Sequence, residues 1–270
     1  MPERAIALEY HDVIPDGGVA DDTGFPGNGP ASYKIERARF AEHLTRLAEG
    51  PAAKAIDRVE RIGEVDAGTR PVYLTFDDGG VSAHSDIAGM LEDHAWPGHF
   101  MVTSDRVGSP NFLSEEQVVE LDARGHVICS HSASHPPRMG ALDYGTIEAE
   151  WRKSVGVLSE ILGKPVVVAS VPGGLYAPRV GRAAAAAGIR FLFTSEPTTA
   201  VHRVGDCLVL GRYSIRAWTP AQTAARIAEG HLLPRLRQWS TGKSLRLARM
   251  LGGSAYLRFR NFYWARIARK

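Results

Sequence analysis

The sequence of 270 residues has few cysteines and no long apolar runs. Its two cysteines, Cys129 and Cys207, are too few for a disulfide framework, which fits a reducing compartment. No apolar run is long enough to span a bilayer, and Glu3 and Glu9 interrupt the N-terminal apolar stretch that a signal peptide would need. We therefore expect a cytoplasmic protein, and the length suits one large domain.

Acidic side chains are missing from residues 231–270, which contain ten Lys and Arg and no Asp or Glu. The first 230 residues hold the other 22 basic side chains and all 30 acidic ones, a net charge of −8. We therefore divide the chain into a domain of residues 1–230 and a basic amphipathic tail of residues 231–270.

Two interpretations of this tail remain open. Its leucines and aromatic residues could enter an anionic membrane surface while its cations meet the head groups, which would place the protein peripherally at the inner membrane face. Alternatively, the tail packs on the acidic body with its arginines reaching solvent. No nucleic-acid recognition motif accompanies the basic residues, so we expect no nucleic-acid partner. The sequence does not predict an oligomeric state.

Seven short β-rich apolar runs alternate with segments of helical spacing. The continuous apolar character of the runs indicates burial on both faces. We therefore predict an α/β fold, a distorted (β/α)7-like barrel with its active site at the C-terminal ends of the strands, with an open doubly wound sheet as the alternative. Ser114 and Gln117 predict a capping box at a helix start, and residues 13–33 predict a long surface loop lining the site. The runs cover residues 5–10, 72–76, 98–103, 126–130, 165–170, 189–194 and 207–210.

Two adjacent carboxylates, Asp77 and Asp78, follow the second run and precede Gly79 and Gly80. Side by side at a buried strand end they would repel each other and resist desolvation. A cation bound by one carboxylate would relieve this repulsion and leave the other free to accept a proton. The alternative interpretation is a simple Asp-Asp-Gly turn.

Two histidines, His131 and His135, follow the fourth run. At a spacing of i, i+4 we expect them on one face of a helical turn, close enough to share a metal ion. Incidental surface histidines are the alternative. Together with Asp78 they would form a His-His-Asp set, which suits one divalent ion, first zinc, with cobalt or nickel as alternatives.

These motifs resemble a known family. Phe76-Asp77-Asp78-Gly79, followed by residues 131–136 (His-Ser-Ala-Ser-His-Pro), resembles the first two signature motifs of NodB-homology polysaccharide deacetylases (carbohydrate esterase family 4). The resemblance covers roughly residues 70–215, and residues 10–12 (Tyr-His-Asp) are similar to exopolysaccharide-linked members. It implies a carbohydrate substrate and a metal-dependent hydrolase that removes N-acetyl groups from N-acetylhexosamine units of a polysaccharide or its lipid-linked precursor.

The resemblance also implies roles for individual residues. Asp77 would be the general base that deprotonates the attacking water, and the N–H of Gly173 would stabilise the oxyanion. Three residues would hold the metal ion, namely Asp78, His131 and His135. Three more are expected to contact substrate, namely Pro172, Gly174 and Arg212.

Two positions depart from the family pattern. The third motif usually carries an Arg that positions the catalytic Asp, but Ser170 occupies that place, and Arg179 or Arg212 would have to reach it from elsewhere. The last motif usually supplies a His as acid for the leaving amine, but Gly211 and Arg212 stand there.

His11, at the end of the first run, is our candidate for the missing acid. The alternative is a loop histidine bonded to backbone. Because of these departures two other functions remain open: a non-catalytic carbohydrate-binding relative that retains the metal site, and an amidohydrolase acting on another small amide.

Overall fold

The computed structural model describes residues 3–66 and 68–240. Its centre is a nine-stranded sheet, a two-stranded sheet lies beside it, and helices pack around both. The strands are β1 (Ile6–Tyr10), β2 (Val13–Ile14), β3 (Ile35–Glu36), β4 (Val72–Phe76), β5 (Gly98–Val102), β6 (Val127–Ser130), β7 (Val168–Ser170), β8 (Phe191–Phe193), β9 (Val201–Val204), β10 (Cys207–Leu210) and β11 (Tyr213–Ser214). The helices are α1 (Asn28–Ala31), α2 (Arg37–Ala48), α3 (Ala88–Glu92), α4 (Glu115–Ala123), α5 (Tyr144–Leu162), α6 (Pro178–Ala186) and α7 (Ala221–Ala228), and residues 232–240 are also helical.

The large sheet has the strand order β11-β1-β4-β5-β6-β7-β8-β10-β9. Its neighbouring strands are parallel except for the antiparallel pair β10 and β9. An antiparallel bridge from Arg4 to Ala200, with the Ala5 N–H donating to the Thr199 carbonyl at 2.9 Å, brings the β9 side back to the start of β1. The sheet is therefore curled into a barrel-like form, and the predicted fold class is confirmed.

Each of the seven predicted runs contains a strand of this curled sheet. The remaining four strands are absent from the prediction, because β2, β3 and β11 are only two residues long and β9 is half-exposed and lacks a continuous apolar run. The predicted capping box is confirmed: Ser114 Oγ accepts from the Gln117 N–H at 3.2 Å and Gln117 Oε1 accepts from the Ser114 N–H at 3.0 Å.

Side chains of each strand alternate between an inner apolar core and one of two outer cores. On β4, Leu74 and Phe76 pack in an outer core and Tyr73 packs in the inner core, together with Met101 and Phe193. The inner core fills the inside of the curled sheet. Strand side chains have a period of two. Every second residue of a strand therefore points into this inner core, and we call these positions the inner row.

His99 of β5 lies in contact with the inner core and is fully buried. Its Nε2 accepts the Val59 N–H at 3.0 Å, so its Nδ1 carries the proton and donates to the Leu74 carbonyl at 3.0 Å. Burial lowers the pKa of His99 to about 4, so the folded protein holds it neutral. Among the described residues, no helix is both long enough and apolar enough to cross a membrane.

Candidate active site

The predicted site residues lie just past the C-terminal ends of the parallel strands, and some of them continue the inner row of side chains. Ala7 and Val168 are inner-core residues of β1 and β7, and the same phase leads two to four residues on to the polar ends of these strands. A group of polar side chains therefore points towards the open end of the curled sheet. Parallel α/β folds commonly have their active sites at this end. The group is Glu9, His11, Thr75, Asp77, His131, Ser170 and Arg212.

Asp78, His131 and His135 are brought together as predicted. Each offers a ligand atom, and these atoms all lie within 4.8 Å of one another. His135 Nε2 lies 3.3 Å and His131 Nε2 3.6 Å from Asp78 Oδ1. One carboxylate and two imidazoles are a donor set that zinc and similar divalent ions prefer, so these residues fit a metal ion.

The local backbone differs from the prediction at the histidine pair. Residues 131–136 contain no helical turn. Ser132 and His135 instead have positive φ angles of 63° and 59°, and this irregular turn, rather than a helix face, places both rings on Asp78. Asp78, the third residue of the set, also has a positive φ angle, of 81°. A Cβ on Gly80 would lie 1.9 Å from Asp12 Oδ1, so only glycine fits beside this turn.

Ser170 determines which ring nitrogen of His131 carries the proton. Its hydroxyl donates to Asp77 Oδ1 at 3.2 Å, so its oxygen accepts from Nδ1–H of His131 at 2.6 Å. With the proton on Nδ1, the Nε2 lone pair of His131 faces Asp78. A hydrogen bond of this kind is the usual way in which a metal-binding histidine is oriented. In the sequence, Ser170 stands out only because it occupies the place where the third motif usually has an arginine.

Arg212 makes the contact with Asp77 that the usual family arginine would make. Nη1 donates to Asp77 Oδ1 at 2.6 Å and Nη2 donates to Oδ2 at 2.8 Å. The guanidinium also donates to Thr75 Oγ1 and to the Thr194 carbonyl. Arg212 is fully buried beneath the site, and its predicted role in substrate contact stays a prediction. Arg179 instead donates to the Gly140 carbonyl at 2.5 Å.

The charges of the group favour a cation site. Burial would raise the pKa of Asp77, but Arg212 and His131 outweigh burial and hold that pKa well below its ordinary value. Burial acts on Asp78 in the same sense, yet its bond to His135 and the nearby histidines lower its pKa to about 2. Burial lowers the pKa of His131 to about 4. At neutral pH both carboxylates are therefore ionised and His131 is neutral, as metal ligation requires.

His11 lies beside Asp77 with a second carboxylate, Glu9. Ligand atoms of Glu9, His11 and Asp77 lie within 4.8 Å of one another. Within the described part of the chain, His11 Nδ1 is buried with no hydrogen-bond partner, and its ring stacks on Tyr33 with centroids 4.4 Å apart. The alternative of a histidine bonded to backbone through Nδ1 does not apply. Glu9 is missing from the prediction, although a carboxylate inside an apolar strand indicates a functional site.

The predicted loop, residues 13–33, forms one wall of the site. The Phe25 ring lies 4.9 Å from the His135 ring and 5.0 Å from that of Phe112. Lys34 is buried beneath this wall, and its ammonium donates to the carbonyls of Ala20, Thr23 and Phe25. Since these three bonds hold the loop backbone around the Lys34 ammonium, Phe25 has a fixed place beside His135.

Pro172, Gly173 and Gly174 form a turn after β7, at the same end of the sheet. Gly173 is exposed with φ 66°, and a Cβ there would lie 2.2 Å from the Pro137 carbonyl oxygen. This close approach packs the turn against the chain that follows His135. The roles predicted for these three residues, oxyanion stabilisation and substrate contact, stay predictions.

Fold and site together define an α/β barrel protein with an Asp-His-His cluster, whose side chains fit a metal ion, beside a buried aspartate. Residues 64–192 match the family profile described as polysaccharide deacetylase. This match covers just under half of the chain, and it agrees with the resemblance of the sequence to the NodB-homology polysaccharide deacetylases. Glu9, His11 and Arg212 lie outside the matched residues.

Individual relatives agree with this assignment. The chain is 37% identical over 71 residues to a chitooligosaccharide deacetylase of Bradyrhizobium sp., covering 26% of this chain and 31% of that protein. It is 26% identical over 129 residues to YxkH of Bacillus subtilis, covering 48% and 46%. The chain thus spans less than half the length of these two curated relatives. The solved structure of IcaB from Ammonifex degensii has the same fold, with a TM-score of 0.65 at 21% identity, covering 85% of this chain and 97% of that one.

Proposed function

We propose that this protein is a metal-dependent deacetylase that hydrolyses N-acetyl groups of N-acetylhexosamine units in a polysaccharide or its lipid-linked precursor. The observation that carries the proposal is an ionised aspartate, Asp77, held by Arg212 beside a set of metal-ligand side chains. A site that only binds metal has no need of this second carboxylate. The matched chitooligosaccharide deacetylase supports an acetylated amino sugar as the substrate.

Asp78, His131 and His135 would hold one divalent ion, first zinc, with cobalt and nickel as alternatives. When bound, such an ion lowers the pKa of water towards about 7 and polarises a carbonyl oxygen. The protein's own contribution is to present a neutral His131 through Ser170 and an ionised Asp78 to that ion.

Asp77 is the proposed general base. Both of its oxygens accept from the guanidinium of Arg212, and Oδ1 also accepts from Ser170. These bonds orient the carboxylate and keep it unprotonated at neutral pH, so that it can accept a proton from the attacking water. The N–H of Gly173 is the proposed donor to the oxyanion that develops on the amide carbonyl.

His11 is the proposed acid. The amine nitrogen must gain a proton before it leaves, and His11 lies beside Asp77, next to the carboxylate of Glu9. A protonated His11 imidazole would donate that proton to the leaving nitrogen. In this arrangement the acid comes from the first strand rather than from the last one.

Acetate release from N-acetylglucosamine oligomers tests the proposal. The protein is treated with a chelator, zinc, cobalt or nickel is restored, and acetate is measured for the unmodified chain and for Asp77→Asn. We expect the variant to lose roughly 10²–10⁴-fold in turnover while binding as much metal. Asp66→Asn, at an exposed turn, is the matched control with normal turnover.

Two results would contradict the proposal. Binding of the oligomers without acetate release under any metal would indicate a non-catalytic carbohydrate-binding protein. Hydrolysis of small amides, with the sugar oligomers left intact, would indicate an amidohydrolase with another substrate. Equal turnover of Asp77→Asn and the unmodified chain would remove Asp77 from the mechanism.

A further inference from the structure

The helix of residues 232–240 exposes an unusual amount of apolar surface. Leu232, Leu233 and Leu236 are 66%, 77% and 52% exposed, and Trp239 is 45% exposed. Leu232 and Leu236 stand at i and i+4, so they lie on one side of the helix, with Leu233 next to Leu232. We call these three leucines the apolar stripe. An apolar stripe of this kind usually faces a protein core rather than solvent.

The polar side of the same helix faces the protein. Arg235 Nε donates to Tyr213 Oη at 2.9 Å, and its guanidinium also bonds the Gly230 carbonyl. One turn further on, Gln238 Nε2 donates to the Ser214 carbonyl at 2.9 Å. At 3.6 residues per turn, Gln238 lies nearly opposite Leu236. The helix is thus fastened to β11 by polar side chains, and its apolar stripe points away from the barrel.

The positive charge of residues 231–270 favours one kind of partner for the apolar stripe. Residues 231–270 carry ten cations and no acidic side chain. A second copy of the chain docked symmetrically on the stripe would bring two such basic segments together, and like charges repel. Anionic lipid provides both a medium for the leucines and a counter-charge for the cations.

We propose that the helix of residues 232–240 docks on an anionic lipid surface. This surface was predicted from residues 231–270 as a whole, of which residues 241–270 lie outside the described part of the chain. The outward stripe and the inward polar anchors are the evidence that the sequence alone lacked.

The direction of the helix of residues 232–240 relates it to the candidate site. Arg235 also donates to Thr199 Oγ1, next to the start of β1, whereas Gln238 bonds Ser214 of β11, so the helix advances in the direction of these two strands. β11 is parallel to β1, with Ser214 paired to Glu9 of the candidate site. The helix therefore runs towards the end of the sheet that carries the site. If the proposed deacetylase function holds, docking brings a lipid-linked substrate to the same end, but docking itself does not rest on that function.

Vesicle co-sedimentation of the full chain tests the proposal. We expect binding to vesicles of equal parts phosphatidylglycerol and phosphatidylcholine, weakening with added salt, and little binding to phosphatidylcholine alone. The variant Leu232→Gln/Leu233→Gln/Leu236→Gln should bind the anionic vesicles about tenfold or more weakly.

The matched control is Val119→Gln/Tyr144→Gln, which removes two exposed apolar side chains on other parts of the surface and should bind normally. Circular dichroism and thermal unfolding report whether each variant keeps its fold. Absence of binding to anionic vesicles would overturn the proposal, as would equal binding of the leucine variant and the unmodified chain. So would a dimer that the leucine variant breaks without any lipid binding, or binding to single-stranded RNA with none to lipid.

Discussion

Exchanging Arg212 and Ser170 would test how Asp77 is held. Arg212 reaches Asp77 from the segment after β10, whereas Ser170, at the end of β7, already bonds Asp77 Oδ1 at 3.2 Å. We compare Arg212→Ser, Ser170→Arg and the double variant. If the aspartate needs a buried guanidinium from any direction, the double variant should recover part of what Arg212→Ser loses.

The structure sets the expected magnitudes. Arg212→Ser leaves the buried Asp77 carboxylate without its counter-ion, which typically costs about 3–5 kcal/mol of stability. Burial then raises the pKa of Asp77, whose low value depends on Arg212. A raised pKa means that the ionised base appears only at higher pH, so the acidic limb of kcat/KM moves to higher pH. In the double variant, we expect about 1 kcal/mol or more of recovery beyond additivity.

Urea unfolding and the pH dependence of acetate release measure these effects. Arg179→Ser is the control, since Arg179 bonds the Gly140 carbonyl rather than Asp77, and its pH profile should match that of the unmodified chain. An Arg212→Ser variant with unchanged stability and an unchanged acidic limb would refute the role given to Arg212. Strict additivity in the double variant would show that position 170 does not accept the guanidinium.

Three further predictions concern single residues. Zinc at a hundredfold excess over its Kd should stabilise the chelated protein by about 2.7 kcal/mol in thermal unfolding and leave Asp78→Asn unaffected; an equal rise in both would exclude Asp78 as a ligand. His11→Ala should reduce turnover by roughly 10²–10⁴-fold at unchanged zinc content, and near-normal turnover would remove it from the mechanism. His99, with its pKa lowered by burial from 6.5 to about 4, stays neutral in the folded chain while the unfolded chain takes up a proton. Stability should therefore fall by up to about 1.4 kcal/mol per unit as pH decreases through this interval, and less steeply in His99→Gln; equal slopes would contradict this.

The sequence by itself determined the main strands, the capping box at Ser114 and the end of the sheet at which the site lies. These features follow from local patterns: continuous apolar runs, a Ser-x-x-Gln spacing, and polar residues directly after buried strands. The grouping of Asp78 with His131 and His135 was predictable for the same reason, because the carboxyl ends of parallel strands share one edge.

Only the tertiary structure decided which side chains hold Asp77 and how. Arg212 is 135 residues away from Asp77 in sequence, and the two meet because the sheet curls and brings β10 and β4 to one interior. The tautomer of His131 depends on Ser170 of a neighbouring strand, and the outward direction of the apolar stripe depends on bonds from Arg235 and Gln238 to β11. None of these contacts follows from local periodicity, since each requires the curvature of the sheet and the packing of distant segments.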